Sequence, residues 1–211
     1  MARISLSSSF STSFGKAEAI GMSTTIKFGR LVTDTPIVLQ AVVEQIGDAP
    51  EGFLIRTLEP AWREISTALA RDPGLLTSLG PRQWEELIAA SYDKAGFDEV
   101  VLTPRSGDFG RDVIAIRRGW GSIRIIDQVK AFSPGHVVTA NDVRALLGVL
   151  GSDRNATKGV VTTTSTFAPR IVHDPFIAPY IPYRLELVDG AALEDRLKRL
   201  CSDGDNAEPT R

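Results

Sequence analysis

Few cysteines and no long apolar run characterise this chain. Cys201 is the single cysteine among 211 residues, which excludes an internal disulfide bond and a cysteine-based zinc site. No apolar run approaches the roughly 20 residues that a membrane-spanning helix needs. The Ser-rich beginning has no continuous apolar segment of the kind that a signal peptide requires. We therefore expect a soluble, cytoplasmic protein without a membrane partner.

An excess of positive charge is also missing. The chain has 24 Lys and Arg residues against 26 Asp and Glu residues, a formal net charge of −2. A protein that binds nucleic acid through overall basic character is excluded, so any anion-binding surface must be local. Such a local bias occurs between residues 105 and 130, where arginines outnumber aspartates. This bias fits contacts with a phosphate backbone, although a solvated arginine-rich face would have the same composition.

The first part of the chain, residues 1–75, carries no chemical motif. Apolar alternation predicts a strand over residues 24–32. Cap-type residues, an early proline and a closing glycine predict a helix over residues 33–47. The same signals predict a second helix over residues 59–74. We expect a small strand-and-helix segment that caps the second part, mediates dimerisation or contacts DNA; the sequence does not choose among these roles.

The second part, residues 76–202, has clearer helix-end and turn signals, which predict an α/β fold. Pro81 and Gly96 bound a predicted helix, three strands separated by tight turns follow, and Thr139 caps another helix. Two further strands and a closing helix complete the order, with residues 203–211 as a flexible tail. Strands joined by short loops pair antiparallel, whereas a strand reached through a helix pairs parallel. The expected architecture is a central mixed sheet flanked by helices.

Polar side chains interrupt two neighbouring strands of this sheet. Asp112 lies near the start of one strand, and Gln128 and Lys130 lie near the end of the next. Gln128 and Lys130 are two residues apart, so their side chains share one face. Because the start of one hairpin strand lies opposite the end of the other, all three should be close in space. The helix that bears Glu85 should pack on the same edge.

Metal-dependent phosphodiester cleavage uses such a set of residues. Mg²⁺ prefers oxygen ligands and keeps several waters, so Asp112 can supply a carboxylate, Gln128 an amide oxygen, and Glu85 a direct or water-mediated contact. A bound cation lowers the pKa of its water and stabilises charge on the phosphate. Lys130 can stabilise developing negative charge or assist deprotonation of the nucleophilic water. We therefore predict Glu85, Asp112, Gln128 and Lys130 as catalytic residues, the first three also as metal ligands.

Five sequence blocks lie within about residues 78 to 200: "QWEELIAA", "GDFGRDVIAI", "IIDQVKAF", "GVVTTTSTF" and "LELVDG". In this order they resemble the blocks of Mrr-like restriction endonucleases, members of the PD-(D/E)xK nuclease superfamily. The resemblance assigns the family's helix glutamate to Glu85, its metal-binding aspartate to Asp112, and its (D/E)xK motif to Gln128-Val129-Lys130. Glutamine replaces the acidic residue of the motif, as it commonly does in Mrr-like members.

The resemblance implies a restriction-endonuclease-like core and a DNA endonuclease of restriction or defence. Its cofactor would be Mg²⁺, with Mn²⁺ as a substitute, and its substrate double-stranded DNA. For DNA contact we predict Arg105 and Arg111, together with the hydroxyls of Thr163, Thr164 and Ser165 at a strand end. Cutting both strands with one site per chain needs two chains or two nicks, so we expect a homodimer.

Other interpretations stay open at this stage. Asp is common after turns, a strand-end lysine can be simply solvated, and an acid near a helix start suits the helix dipole. Threonines at a strand end can reflect β-propensity alone. The same core could serve a Holliday-junction-resolvase-like or repair nuclease, or a DNA-binding module that does not cleave. Intact Asp112 and Lys130 argue against the last of these.

Overall fold

A seven-stranded mixed sheet organises the described part of the chain. The computed structural model of the protein describes residues 41–72, 78–105, 110–133 and 135–205. The strands are β1 (Val43–Ala49), β2 (Gly52–Thr57), β3 (Glu99–Leu102), β4 (Val113–Arg117), β5 (Ile123–Lys130), β6 (Val137–Val138), β7 (Lys158–Thr163), β8 (Thr166–Phe167) and β9 (Leu185–Val188). The helices are α1 (Glu59–Arg71), α2 (Pro81–Lys94), α3 (Ala140–Ser152) and α4 (Gly190–Asp205).

The strands of the large sheet pair in the mixture of antiparallel and parallel directions that the sequence predicts. The large sheet runs β1-β2-β3-β4-β5-β7-β9, with antiparallel pairing from β1 to β5 and parallel pairing from β5 through β7 to β9. The strand reached through α3 is therefore parallel to its neighbour, as predicted. The two-residue strands β6 and β8 form a separate parallel pair. The predicted α/β fold with a central mixed sheet flanked by helices is confirmed.

Two hydrophobic cores lie on opposite faces of the large sheet. Trp62 of α1, Trp84 of α2 and Leu197 of α4 belong to one core. Ile126 of β5 and Leu146 of α3 belong to the other. Alternate residues of one strand point to opposite faces, so a single strand supplies side chains to both cores. Within the described residues, no helix is long and apolar enough to cross a membrane.

Local signals fix the ends of the helices that border the predicted site. The Gly80 amide donates to Gln83 Oε1 at 2.9 Å, Pro81 begins α2, and Gly96 adopts a φ of +81° just after its end. A residue without a side chain accepts this left-handed conformation at little cost. At α3 the Asp142 side chain accepts from the Thr139 amide at 2.9 Å, which closes the first turn. The predicted helix starts at Pro81 and Thr139 are confirmed.

The N-terminal part of the described chain differs from the prediction. The helix predicted over residues 33–47 is wrong for Val43 through Gly47, which begin β1. Pairing of β1 with β2 outweighs the local helix signals, as tertiary context often does. The predicted strand over residues 24–32 lies outside the described residues. The second predicted helix is confirmed as α1.

Residues on both sides of position 75 contribute to one sheet and one core. Strand β2 pairs with β3 through Phe53 and Leu54, and α1 packs its apolar side chains into the core shared with α2. The described residues belong to one compact unit, Val38–Arg211. The expected roles of the N-terminal segment in dimerisation or DNA contact stay predictions.

The close approach of the β3 backbone to Gly52 allows a test of the pairing between β2 and β3. A Cβ placed on Gly52 would lie 2.4 Å from the Leu102 carbonyl oxygen and 2.9 Å from Thr103 Cα. We expect Gly52→Ala to lower the free energy of unfolding by about 1–3 kcal/mol, because backbone atoms must move to admit the methyl group. Gly121→Ala is the matched control, since nothing lies within 4 Å of its Cβ position. Equal stability of the two variants in urea denaturation would contradict the packing of β2 on β3.

Candidate nuclease site

The register of β4 and β5 brings the predicted site residues together. Val113 pairs with Asp127, so the preceding residue, Asp112, lies opposite Gln128. The Asp112 amide donates to the Asp127 carbonyl at 3.1 Å, and the Val129 amide donates to Asp112 Oδ2 at 2.6 Å. Backbone pairing thus fixes both the position and the orientation of this carboxylate beside the Gln-x-Lys segment.

Gln128 is a buried amide with an unused oxygen. Only 8% of the residue is exposed, and its Oε1 has no hydrogen-bond partner among the described residues. Gly110 closes over it: a Cβ at that glycine would lie 3.4 Å from Gln128 Nε2, and its φ is +76°. A buried acceptor without a partner costs free energy, so Gln128 Oε1 suits coordination of a cation that binds oxygen donors.

Lys130 shares the face of Gln128 and approaches α3. Its Nζ lies 4.0 Å from Asp142 Oδ1, with about a quarter of the lysine side chain exposed. Burial raises the pKa of Asp142, but hydrogen bonds from Thr139 and the nearby Lys130 charge outweigh burial and leave that pKa below its ordinary value. Asp142 therefore remains a charged partner for Lys130. The sequence prediction missed Asp142, although the Thr139-x-x-Asp142 capping pattern marks it.

Glu85 lies in the same cleft as Asp112. The cleft has a volume of about 450 Å³, and both carboxylates line it together with Arg82 and Arg105. Arg82 binds Glu85 at 2.8 Å and also donates to the Thr103 carbonyl at 2.9 Å. Glu85 is thus an ion-paired carboxylate at the wall of the cleft, anchored to the backbone that leads from β3.

The arginines predicted to contact DNA occupy different positions. Arg105 is exposed and lines the cleft of Asp112 and Glu85. Arg111 lies beyond the cleft and forms an ion pair of 3.6 Å with Asp153 at the end of α3. Of the two arginines predicted to contact DNA, Arg105 is therefore the one that lines this cleft.

The predicted hydroxyl residues mainly fasten the chain after β5. Thr163 is fully buried and donates to the Lys130 carbonyl at 2.8 Å. Thr164 donates to the Phe132 carbonyl at 2.8 Å, and Ser165 donates to the His136 carbonyl at 2.5 Å. These bonds tie the end of β7 to the segment that follows Lys130, so the three hydroxyls position that segment.

Carboxylates alone do not make a metal centre here. Within the described residues, no group of three or more His, Cys, Asp or Glu side chains is placed to hold a metal ion. A cation at Asp112 would therefore need oxygen from an amide, the backbone or water. Mg²⁺ commonly uses one or two carboxylates and retains water, so the available donors, Asp112 and the unused Gln128 oxygen, fit that ion.

Behind this site, on the other face of β5, lies a buried carboxyl group. Asp127 Oδ2 accepts from the Tyr92 hydroxyl at 2.8 Å and from the Thr162 hydroxyl at 2.9 Å. Burial raises the pKa of Asp127 to about 7, although both hydrogen bonds oppose the shift. The sequence prediction gave Asp127 no role. An aspartate within an apolar strand such as "IIDQV" nevertheless indicates a buried polar group.

A family comparison now decides what kind of domain this is. The family model Mrr_cat, described as a restriction endonuclease, matches residues 76–197, which is more than half of the chain. The chain belongs to the Mrr restriction endonuclease family. The matched region of this Mrr domain contains α2 and the β4–β5 hairpin, the elements that position the four predicted catalytic residues.

Two solved structures are similar to part of this chain. One is the MspJI restriction endonuclease in complex with a 27-mer oligonucleotide, with 18% identity, a TM-score of 0.43, and coverage of 67% of this chain and 31% of that chain. The other is the DNA modification-dependent restriction endonuclease AspBHI, also with 18% identity and a TM-score of 0.43, covering 69% of this chain and 35% of that chain. The chain thus spans about a third of their lengths. Comparison with curated proteins gave no match.

The buried Asp127 predicts a pH dependence of stability in the Mrr domain. The pKa of Asp127 is about 7 in the folded state against an ordinary value of 3.8. The folded state therefore keeps this proton up to a higher pH than the unfolded state does. The free energy of unfolding should therefore fall as pH rises from about 4 to about 7, by at most about 1.4 kcal/mol per pH unit. Asp127→Asn should remove this contribution. Urea denaturation of both proteins in EDTA across that range measures it, and parallel pH profiles would refute it.

Proposed function

We propose that this Mrr-family chain is a metal-dependent endonuclease that hydrolyses phosphodiester bonds of double-stranded DNA in restriction or defence against foreign DNA. The observation that carries the proposal is the bond from the Val129 amide to Asp112, which holds a carboxylate beside Gln128 and Lys130. The family match supports the same chemistry. We further propose that the protein works in the cytoplasm.

Mg²⁺ is the proposed cofactor, with Mn²⁺ as a substitute. Asp112 would supply an anionic oxygen and Gln128 Oε1 a neutral one, with Glu85 acting through water at the wall of the cleft. A bound divalent ion would acidify its water and neutralise charge on the phosphate. The amide leaves the donor set one negative charge short of a carboxylate pair, so millimolar rather than trace metal concentrations should be needed.

The protein side chains position the substrate and its charge. Arg105 lines the cleft and attracts a phosphate of the DNA backbone. Lys130 brings a positive ammonium group to the face of Gln128, where it stabilises negative charge that develops on the phosphate. Asp142, held by Thr139 in the first turn of α3, lies 4.0 Å from the lysine ammonium group. Arg82 forms an ion pair with Glu85 at the wall of the cleft.

A homodimer is the proposed working form. One active site cuts one strand, so coordinated double-strand cleavage requires two chains related by twofold symmetry. The N-terminal segment, residues 1–75, is the proposed interface, with DNA contact as its alternative role. Sedimentation of the chain free and bound to DNA tests the assembly; a monomer under both conditions, with normal double-strand cutting, would overturn it.

Removal of the central carboxylate should abolish cleavage. We expect Asp112→Ala to lose at least about a hundredfold in the rate of plasmid cleavage with Mg²⁺, because the anionic oxygen is gone while DNA contacts remain. Glu64→Ala, which removes an exposed carboxylate of α1, is the matched control and should cleave normally. Cleavage assays on modified and unmodified plasmids and gel-shift binding in EDTA separate chemistry from DNA retention. Normal cleavage by Asp112→Ala would reject the assignment.

The glutamine and the lysine should have separable effects. Gln128→Glu adds a charged oxygen, so we expect activity to persist and the half-saturating Mg²⁺ concentration to fall by about tenfold. Lys130→Ala removes a cation near the metal, so the rate should fall by about a hundredfold or more while metal affinity stays equal or increases. Metal titrations of activity and calorimetric metal binding measure both. Unchanged metal dependence in the first variant together with normal cleavage by the second would show that the pair has no catalytic part.

A further inference from the structure

The connection between β8 and β9, residues 168–184, carries several exposed aromatic side chains. Five aromatic side chains are exposed among the described residues, and three of them, Phe176, Tyr180 and Tyr183, lie in this connection. The exposed fraction is 68% for Phe176 and 87% for Tyr183. Single exposed apolar side chains are common, whereas several within one short segment indicate a contact surface. The β8–β9 connection is therefore a candidate contact surface.

The backbone that carries these rings is firmly attached to the domain. Ile171 and Ile177 are buried in the core that α3 covers. The Ile177 amide donates to the Asp174 carbonyl at 3.0 Å, and the Arg184 amide donates to the Tyr180 carbonyl at 2.8 Å. The rings are thus exposed from a backbone fixed by core residues and hydrogen bonds. A preorganised surface of this kind loses little conformational entropy when a partner binds.

Positive charge accompanies the rings. Arg170 and Arg184 are exposed, and neither forms an ion pair within the described part of the chain. Asp174 is the single carboxylate of the connection. Arg144 of α3 pairs with Asp174, and its guanidinium group lies 5.7 Å from the centroid of the Phe176 ring. The surface therefore combines flat apolar rings with unneutralised guanidinium groups.

The position of the connection relates it to the proposed nuclease site. It begins four residues after Thr164, whose amide donates to the Lys130 carbonyl at 3.3 Å. It ends at Arg184, whose carbonyl accepts from the Gly159 amide at 2.9 Å near the start of β7. The connection therefore spans the six residues of β7, roughly 20 Å. That length matches about six nucleotides of a stacked strand at roughly 3.4 Å each.

An unpaired nucleic-acid strand matches this combination better than a duplex does. Its bases present flat faces that stack on aromatic rings, and its phosphates attract guanidinium groups. In a duplex the base faces are already stacked on one another, and only base edges and phosphates are accessible. Exposed rings would then contribute nothing that arginines alone do not supply.

We propose that the β8–β9 connection binds an unpaired strand of DNA, whose bases stack on Phe176, Tyr180 and Tyr183 and whose phosphates contact Arg170 and Arg184. The proposal goes beyond cleavage of double-stranded DNA and does not rest on it, because this binding requires no metal ion. A second copy of the chain is the alternative occupant of the surface.

Fluorescence anisotropy of a labelled oligothymidylate, which cannot pair with itself, tests the proposal with the full chain in EDTA. We expect saturable binding that weakens as salt rises. Tyr183→Ala and Phe176→Ala should each weaken it at least about fivefold, because a stacking ring is lost. Tyr183→Leu should be as weak as Tyr183→Ala, since an apolar side chain without a ring does not stack. Trp120→Ala is the matched control, because it removes an exposed ring outside this surface.

Charge variants and assembly complete the test. Arg184→Ala should weaken binding by about fivefold, whereas Arg63→Ala, which removes an exposed arginine of α1, should leave it unchanged. Equal affinities of Tyr183→Ala, Phe176→Ala and Trp120→Ala would overturn the proposal, as would the absence of saturable binding or tighter binding of oligouridylate. Sedimentation without DNA should give Tyr183→Ala the mass of the unmodified protein. A loss of dimers in that variant would show an interface between copies instead.

Discussion

The contact between the Val129 amide and the Asp112 carboxylate is the constraint on which the proposed nuclease site depends. Asp112 precedes β4, and its carboxylate takes a backbone donor of β5 at 2.6 Å. The carboxylate therefore cannot rotate freely into solvent, and it stays beside Gln128 and Lys130 as long as the two strands remain in register. A shift of one residue would turn Gln128 and Lys130 to the opposite face.

Strand β5 places side chains in two different environments because alternate residues lie on opposite faces of the sheet. Gln128 and Lys130 face α3 and the proposed nuclease site, whereas Asp127 faces α2 and α4 and accepts from Tyr92. The backbone of Asp127 also accepts from the Asp112 amide at 3.1 Å, so the proposed nuclease site and the buried carboxyl group share one short piece of main chain.

The sequence predicted the elements whose signals are local. Pro81 and Gly96 bounded a helix, Thr139 capped another, and tight turns ordered the three strands, from which the meeting of Asp112 with Gln128 and Lys130 followed. Strand β1 was missed because its partner β2, rather than its own residues, determines its conformation. The ion pair between Lys130 and Asp142 was missed because it depends on how α3 packs on β5. The burial of Asp127 was missed for the same reason, since its partners Tyr92 and Thr162 lie on α2 and β7.

Paramagnetic broadening by Mn²⁺ tests the central claim most directly, that a cation binds at the β4–β5 hairpin beside Asp112. Amide spectra of the isotopically labelled chain would be recorded during substoichiometric addition of Mn²⁺. The account predicts that the amides of Asp112 and Val129 broaden first, that Trp120 at the other end of the same hairpin stays sharp, and that Asp112→Ala abolishes the selective effect. Broadening centred elsewhere, or unchanged in Asp112→Ala, would contradict the account.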